Sequence, residues 1–129
     1  MTDVIPAPAL PRVPVRGGAT FPVRRIYCVG RNFADHAKEM GAEAPVAKNE
    51  RGSPVFFSKP ADALVLDGTA AYPPGTRNLH HEIELVVALG HDAPAGVLAV
   101  GDAQALVFGY GVGLDLTRRD LQAAAKAKG

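Results

Sequence analysis

The sequence predicts an α+β domain in which short strands outnumber helices. Apolar, β-branched runs of strand length recur along the chain, glycine and proline punctuate them, and few stretches have helical composition. The length of 129 residues fits a single domain. We expect residues 1–21 to form an extended arm and residues 22–129 to form the domain.

The first elements follow from proline, glycine and capping signals. The arm is rich in proline, whose fixed φ favours extended backbone, and a short strand is predicted at 12–15. Residues 25–30 are apolar and β-branched and end in glycine, so they predict a buried strand. A helix is predicted from Asn32, a good N-cap, to Gly41, and the polar segment 42–53 predicts a loop.

The middle of the chain predicts three more strands. Two are short, at 54–58 and 63–66. The third is the apolar run that carries Glu82 and Glu84 and ends before Gly90.

The last third predicts a helical turn, a strand and a helix. Residues 99–105 favour the turn, and the glycine-punctuated apolar run 106–114 predicts a strand that ends at Asp115. Residues 118–128 have helical composition, with Thr117 as a candidate N-cap.

Composition excludes several classes of function. The net charge is +1 without a basic stripe, which disfavours nucleic-acid binding, and no apolar run has the length of a membrane span. The N-terminus lacks the pattern of a signal peptide. The one cysteine, Cys28, is interpreted as a buried strand thiol. Together these features predict a cytoplasmic protein.

The most informative stretch surrounds Glu82 and Glu84. On a strand, two side chains separated by one residue point to the same face, while Ile83, Leu85 and Val87 point to the other, towards a core. Paired carboxylates on a mostly buried strand repel each other, and a divalent cation between them would remove that penalty. An edge strand with one solvated face explains the same spacing equally well.

Asp115 is the candidate for a third acidic ligand. A charged residue at the end of an apolar strand is often the first solvated position, and that interpretation has about half the weight. Together with Glu82 and Glu84, however, it makes a set of hard oxygen donors. Such a set suits Mg²⁺, Mn²⁺ or Ca²⁺ better than Zn²⁺.

His36 and Glu39 are a candidate pair for general-base chemistry. Their spacing of three places them on one face of the predicted helix, where the carboxylate would raise the basicity of the imidazole. An ordinary surface pair is favoured when the spacing is taken alone. His80 shares the face of the acidic pair and could support it, whereas His81 lies on the opposite face.

Cationic side chains could bind a carboxylate-bearing substrate. Arg31, between a strand and a helix, and Lys59, at a strand end, have better positions than Arg118 and Arg119. The alternating glycines Gly109, Gly111 and Gly113 are not a phosphate loop, and close backbone packing explains them better.

Four motifs occur in order and cover nearly the whole chain after the arm: Tyr27–Gly41, Phe56–Pro60, His81–Leu85 and Gly109–Gln122. Together they resemble the fumarylacetoacetate hydrolase family, and some features look most like bacterial fumarylpyruvate hydrolases. The resemblance covers only the N-terminal half of the family's catalytic domain.

The resemblance implies a mostly β fold, with short helices, in which a mixed and curled sheet encloses a metal ion. It implies that Mg²⁺ or Mn²⁺ is bound by Glu82, Glu84 and Asp115. It also implies that His36 and Glu39 activate water, on a lid that orders over bound substrate.

Further implications concern the substrate and the assembly. Arg119 and Gln122 match positions near the ligand in the family, and Lys59 is a weaker match. The family usually forms homodimers.

These expectations predict hydrolysis of a carbon–carbon bond in an acylpyruvate, with fumarylpyruvate as the best candidate, in the breakdown of aromatic compounds. Within the same family, an oxaloacetate decarboxylase or a 2-oxo acid isomerase or hydratase is the alternative. Because the resemblance covers half of a domain, a non-catalytic fragment or a subunit that needs a second chain is also open.

Overall fold

The computed structural model describes residues 2–30 and 53–128. The chain divides into two compact units, residues 1–70 and 71–129. In both units the described regular structure is mostly strand, with a few short helices, which confirms the predicted α+β, mostly β class. The division into an arm and a domain at residue 21 stays a prediction.

The first unit begins with a small hairpin. Strand β1 (Arg12–Pro14) pairs antiparallel with β2 (Thr20–Pro22), which confirms the short strand predicted near 12–15. Gly17 and Gly18 have φ values of 98° and 92°, a conformation that glycine adopts without a Cβ clash.

The second pair of strands in this unit matches the sequence prediction. Strand β3 (Ile26–Gly30) runs antiparallel to β4 (Val55–Lys59), with Ile26 opposite Lys59. Cys28 lies on β3, and it is half-buried rather than buried. The predicted helix 32–41 and nearly all of the predicted loop 42–53 lie outside the described residues.

The strand predicted at 63–66 is wrong. Residues Ala61–Ala63 form a 3₁₀ turn instead, in which the Leu64 amide donates to the carbonyl of Ala61. Val65 and Leu66, which suggested a strand, are about half exposed and extend without a ladder partner among the residues described. Apolar composition alone does not make a strand where no neighbouring strand accepts its hydrogen bonds.

The second unit is built on one long antiparallel hairpin. Strand β5 (Leu79–Leu89) pairs with β6 (Val107–Arg118). Their connection contains helix α1 (Val100–Ala103) and a 3₁₀ turn (Gln104–Leu106), close to the predicted helical turn. Helix α2 (Arg119–Lys126) follows β6 directly and confirms the predicted C-terminal helix.

The end of β6 differs from the prediction. The strand does not end at Asp115 but continues through Arg118, because Leu116, Thr117 and Arg118 keep pairing with β5. Thr117 is therefore a strand residue and not the N-cap of α2. The structural N-cap is Arg118, which makes no side-chain capping bond.

The prediction that Ile83, Leu85 and Val87 point to a core is also wrong for the described chain. These side chains are exposed, at 67%, 63% and 44% of their surface. No large side chain among the residues described is fully buried. In the part of the chain that the structure covers, no helix is long and apolar enough to cross a membrane.

Candidate functional site

The β5–β6 register brings the three predicted acidic positions onto one face of the hairpin. Glu82 is directly opposite Asp115, and Glu84, two residues further along β5, is opposite Gly113. We call this side, with His80 and Thr117, the acidic face. The other side carries apolar residues from both strands and is called the apolar face. Its members are Ile83, Leu85, Val87, Tyr110, Val112 and Leu114.

Two carboxylates at directly opposed positions carry an electrostatic cost. Such positions place Cβ atoms about 5 Å apart, and like charges there destabilise a sheet. Glu82 and Asp115 are both half-buried, which weakens screening by water. The acidic face therefore needs cations or hydrogen-bond donors.

Glu82 receives donors on both of its oxygens. Its Oε1 forms a salt bridge with Nη2 of Arg119, and its Oε2 accepts a hydrogen bond of 2.9 Å from the Thr117 hydroxyl. Only 16% of the Arg119 side chain and 18% of the Glu82 side chain are exposed. This mostly buried pair is a charge-assisted contact of the stronger kind.

Arg119 is itself held by three further neighbours. Its Nη1 donates to Gln122 Oε1 at 2.6 Å, and its Nε approaches Nδ1 of His80 at 3.4 Å. Its backbone amide donates to the carbonyl of Asn78 at 2.9 Å. The guanidinium is thus fixed above Glu82 by the first turn of α2 and the start of β5.

A second contact ties α2 to the segment before β5. The Asp120 carboxylate accepts hydrogen bonds from the Arg77 amide, at 2.9 Å, and from the Thr76 hydroxyl. The Arg77 amide, and then the Thr76 hydroxyl, lower the pKa of Asp120 below its ordinary value of 3.8. Thr76 is the one buried polar residue identified among those described.

The donor set of the acidic face fits a hard divalent cation in its chemistry and in its backbone positions. Carboxylate oxygens are donors of the kind that Mg²⁺ and Mn²⁺ prefer, and the register places three such residues on one face of adjacent strands. The side chains of the described residues nevertheless include no group of three His, Cys, Asp or Glu arranged to hold a metal. The ligand roles of Glu82, Glu84 and Asp115 stay predictions.

The glycines of β6 shape the space beside these carboxylates. A Cβ on Gly113 would lie 3.0 Å from Val86 Cγ2, a close contact that Val86 would have to relieve by moving a few tenths of an ångström. A Cβ on Gly111 would meet Val86 at an ordinary 3.9 Å, and one on Gly109 would meet nothing within 4 Å.

The remaining candidates are in the first unit or outside the described residues. Lys59 is half-buried at the end of β4, where it lines an open groove with Arg24, Arg25 and Tyr27. Arg31, His36 and Glu39 lie outside the described residues, so their roles stay predictions.

Thr117 and Asp120 belong to this network, although the sequence did not predict a role for either in it. Thr117 was interpreted as a helix cap, although its alternation with Asp115 along the strand was a signal for the acidic face. Arg119 was given a less favourable position than Arg31 or Lys59, yet it contacts Glu82, His80 and Gln122.

Comparison with known proteins gives one family. The model of the fumarylacetoacetate hydrolase C-terminal domain matches residues 25–129. Oxaloacetate tautomerase FAHD1, a mitochondrial protein of Bos taurus, is 44% identical over 109 residues, which are 82% of this chain and 45% of the relative.

Two crystal structures share the fold. The fumarylpyruvate hydrolase of Pseudomonas aeruginosa, solved with Mn²⁺ and pyruvate, has a TM-score of 0.85 and 44% identity, covering 98% of this chain and 54% of that one. A Burkholderia cenocepacia protein proposed to be a fumarylpyruvate hydrolase has a TM-score of 0.78 and 53% identity, covering 98% and 51%. The chain spans about half the length of these relatives.

Proposed function

The chain belongs to the fumarylacetoacetate hydrolase family, and on that premise we propose that it carries the metal-binding part of an acylpyruvate hydrolase. The proposed reaction is cleavage of a carbon–carbon bond, with fumarylpyruvate giving fumarate and pyruvate. The observation that carries the proposal is the register of β5 and β6. It places Glu82 opposite Asp115, with Glu84 on the same face.

The proposed cofactor is Mg²⁺ or Mn²⁺, with Glu82, Glu84 and Asp115 as ligands. The Mn²⁺ and pyruvate in the Pseudomonas aeruginosa relative support both the metal and a 2-oxo acid substrate. When bound, the metal supplies a Lewis acid that stabilises negative charge as the carbon–carbon bond breaks.

The chain's own residues supply the proton transfer and the binding of anions. In the proposal, His36 takes a proton from water, and Glu39 orients the imidazole and raises its basicity. The activated water attacks the carbonyl distal to the 2-oxo acid. Arg31, Lys59, Arg119 and Gln122 are proposed to bind substrate oxygens. Assembly as a homodimer in the cytoplasm, and a place in aromatic breakdown, remain predictions.

A second reaction of the same family is the alternative to acylpyruvate hydrolysis. The Bos taurus relative is an oxaloacetate tautomerase, and it is as similar in sequence as the Pseudomonas aeruginosa hydrolase. Tautomerisation or decarboxylation of oxaloacetate would use the same carboxylate positions and the same kind of 2-oxo acid. The substrates differ in the part distal to the 2-oxo acid, and only the hydrolysis needs an attacking water.

A candidate of another class is a subunit that needs a second polypeptide. The apolar face supports it, because Val112 is 80% exposed and Ile83 67% exposed. An exposed apolar patch of several adjacent side chains marks an interaction surface.

A substrate assay separates these candidates. The chain, supplied with Mn²⁺, is assayed in parallel for loss of fumarylpyruvate and for tautomerisation and decarboxylation of oxaloacetate. Turnover of fumarylpyruvate that is lost in Asp115→Asn supports the hydrolase. A preference for oxaloacetate supports the tautomerase or decarboxylase. Turnover that appears only after a second polypeptide is added supports the subunit.

The water-activating role of His36 has its own test. His36→Ala is expected to lower turnover by roughly 10²–10⁴-fold, because general-base catalysis contributes about that much. Binding of Mn²⁺ should persist, since His36 is not a proposed ligand. Unchanged turnover would remove His36 from the mechanism.

A further inference from the structure

The hydroxyl of Thr117 contacts one of the proposed metal ligands. Its Oγ1 donates a hydrogen bond of 2.9 Å to Oε2 of Glu82, while Arg119 binds Oε1 of the same carboxylate through a salt bridge. Thr117 is half-buried, so water competes with this hydrogen bond less than it would at an open surface. The two oxygens of Glu82 are thus held by two different side chains.

Two donors fix the orientation of a carboxylate, whereas one does not. The last torsion of a glutamate side chain is broad, so a carboxylate that is held by one oxygen can turn about its own axis. A donor on the second oxygen removes that freedom. An ionised carboxylate can accept about four hydrogen bonds, so these two donors orient Glu82 without excluding a cation.

The register of the hairpin explains why the Thr117 hydroxyl reaches Glu82. Thr117 is directly opposite His80, and Glu82 lies two residues further along β5. Thr117 and Glu82 are therefore diagonal neighbours on the acidic face, about 7–8 Å apart along the backbone, which a glutamate side chain can span. Threonine is β-branched, so its χ1 is restricted on a strand and its hydroxyl has few directions in which to point.

Strand preference alone does not explain the hydroxyl. Valine has nearly the same shape as threonine and is equally at home on a strand. At this position valine would keep the β-branched packing and lose the hydrogen bond to Glu82. The polar atom of Thr117 therefore has a use that the strand itself does not require.

We propose that Thr117 is a positioning residue of the metal site. Its hydroxyl, together with Arg119, fixes the Glu82 carboxylate in the orientation in which it binds the divalent cation. Thr117 is not itself a ligand and acts only through Glu82. Hydrogen bonds to a metal-binding carboxylate orient it in advance, and the loss of one lowers metal affinity by about 10–100-fold. This inference rests on the proposed metal site.

Isothermal titration of the full chain with Mn²⁺ measures this role. Thr117→Val keeps the shape and removes the hydroxyl, so Mn²⁺ should bind at least about tenfold more weakly than to the wild type. Thr117→Ala removes the hydroxyl in a second way and should weaken binding to a similar degree, which keeps the test decisive if the valine variant does not fold. Thr117→Ser keeps the hydroxyl and should stay within about threefold of the wild type.

A matched control and a stability measurement separate positioning from a purely structural role. Thr20→Val makes the same chemical change at an exposed position of β2 in the first unit, and it should change the Mn²⁺ affinity less than about twofold. Urea unfolding in EDTA gives the stability of each variant without metal. A purely structural role for Thr117 would lower that stability and leave the Mn²⁺ affinity of the folded protein unchanged.

The outcomes distinguish this inference from the proposed function. Weaker binding by Thr117→Val and Thr117→Ala, with near-normal binding by Thr117→Ser, supports the positioning role. Unchanged affinity in the variants without the hydroxyl, with wild-type binding that Asp115→Asn weakens, overturns the role and leaves the metal site standing. A serine variant as weak as the alanine variant also overturns it, because the hydroxyl is then not the cause. No Mn²⁺ binding by the wild type overturns the metal site and this inference with it.

Discussion

The two faces of the β5–β6 hairpin differ in solvent exposure, and the apolar face is the more exposed one, which is unusual for a sheet with one polar and one apolar face. In most antiparallel sheets the apolar face is covered and the polar face meets water. Here only 18% of the Glu82 side chain is exposed, whereas Val112 on the other face is 80% exposed. The carboxylates are covered by the chain's own residues. The apolar side chains are not covered by any residue that the structure describes.

The difference indicates which part of the site the chain organises by itself. Arg119 and Thr117 hold Glu82, and Asp120 ties α2 to the segment before β5. These contacts come from one hairpin, the helix that follows it and the segment just before it. The surroundings of Glu82 are thus built by residues of this one unit.

The largest expected difference between the faces is in metal binding. Asp115→Asn keeps the shape of the side chain and removes a proposed ligand charge, so Mn²⁺ affinity should fall by more than about 100-fold. The neighbouring Leu114→Gln changes the apolar face and should leave the affinity within about twofold. Titration calorimetry measures both. Equal affinities for Asp115→Asn and the wild type would remove Asp115 from the site.

Packing on the acidic face gives the next effect. Gly113→Ala would place a methyl group 3.0 Å from Val86 Cγ2, and this overpacking should cost about 1–2 kcal/mol in the free energy of unfolding. Gly109→Ala is the matched control on the same strand, because a Cβ there meets nothing within 4 Å. It should be neutral or slightly stabilising. Urea unfolding measures the free energy of unfolding of both variants. Equal losses in the two variants would show that the contact with Val86 is not the cause.

Substitutions on the apolar face should change the self-association of the protein more than its free energy of unfolding. Val112→Lys puts a charge at an exposed position, so the free energy of unfolding should change by less than about 0.5 kcal/mol. Self-association, measured by sedimentation velocity, should weaken by about tenfold, because the charge interrupts the patch. Val97→Lys, at a fully exposed valine in the β5–α1 connection, is the control. Equal effects of the two changes would show that the face is no interaction surface.

The sequence was sufficient for the side-chain alternation but not for the pairing. The spacing of Glu82 and Glu84 predicted a shared face, because strand periodicity is local. That Asp115 lies opposite Glu82 depends on register, which is set by the long-range pairing of two strands. Asp115 was placed at a strand end because a charge after an apolar run suggests solvent. The partner strand overrides that local signal.

Contacts between elements were also beyond the sequence. Threonine is a common N-cap residue, so Thr117 suggested the start of a helix. Only the continued pairing of β6 with β5 reveals that its hydroxyl donates a hydrogen bond to Glu82. The exposure of Ile83 and Leu85 could not be foreseen either. Alternation indicates which side chains share a face but not whether another surface covers that face.

The smallest expected effect concerns the contact that fixes α2 beside the acidic face. The Arg77 amide and the Thr76 hydroxyl lower the pKa of Asp120 below 3.8, so the folded state favours the ionised carboxylate. A lowered folded-state pKa contributes stability above the unfolded value, and this contribution is lost as the pH falls through the folded value. Asp120→Asn should therefore be less stable than the wild type near neutral pH, and the difference should shrink below about pH 4. Urea unfolding from about pH 2 to 7 measures it, with Asp102→Asn in α1 as a control for the loss of one carboxylate. Solvent screening keeps the effect modest. A difference that stays constant down to the lowest pH would show that Asp120 does not act through its charge.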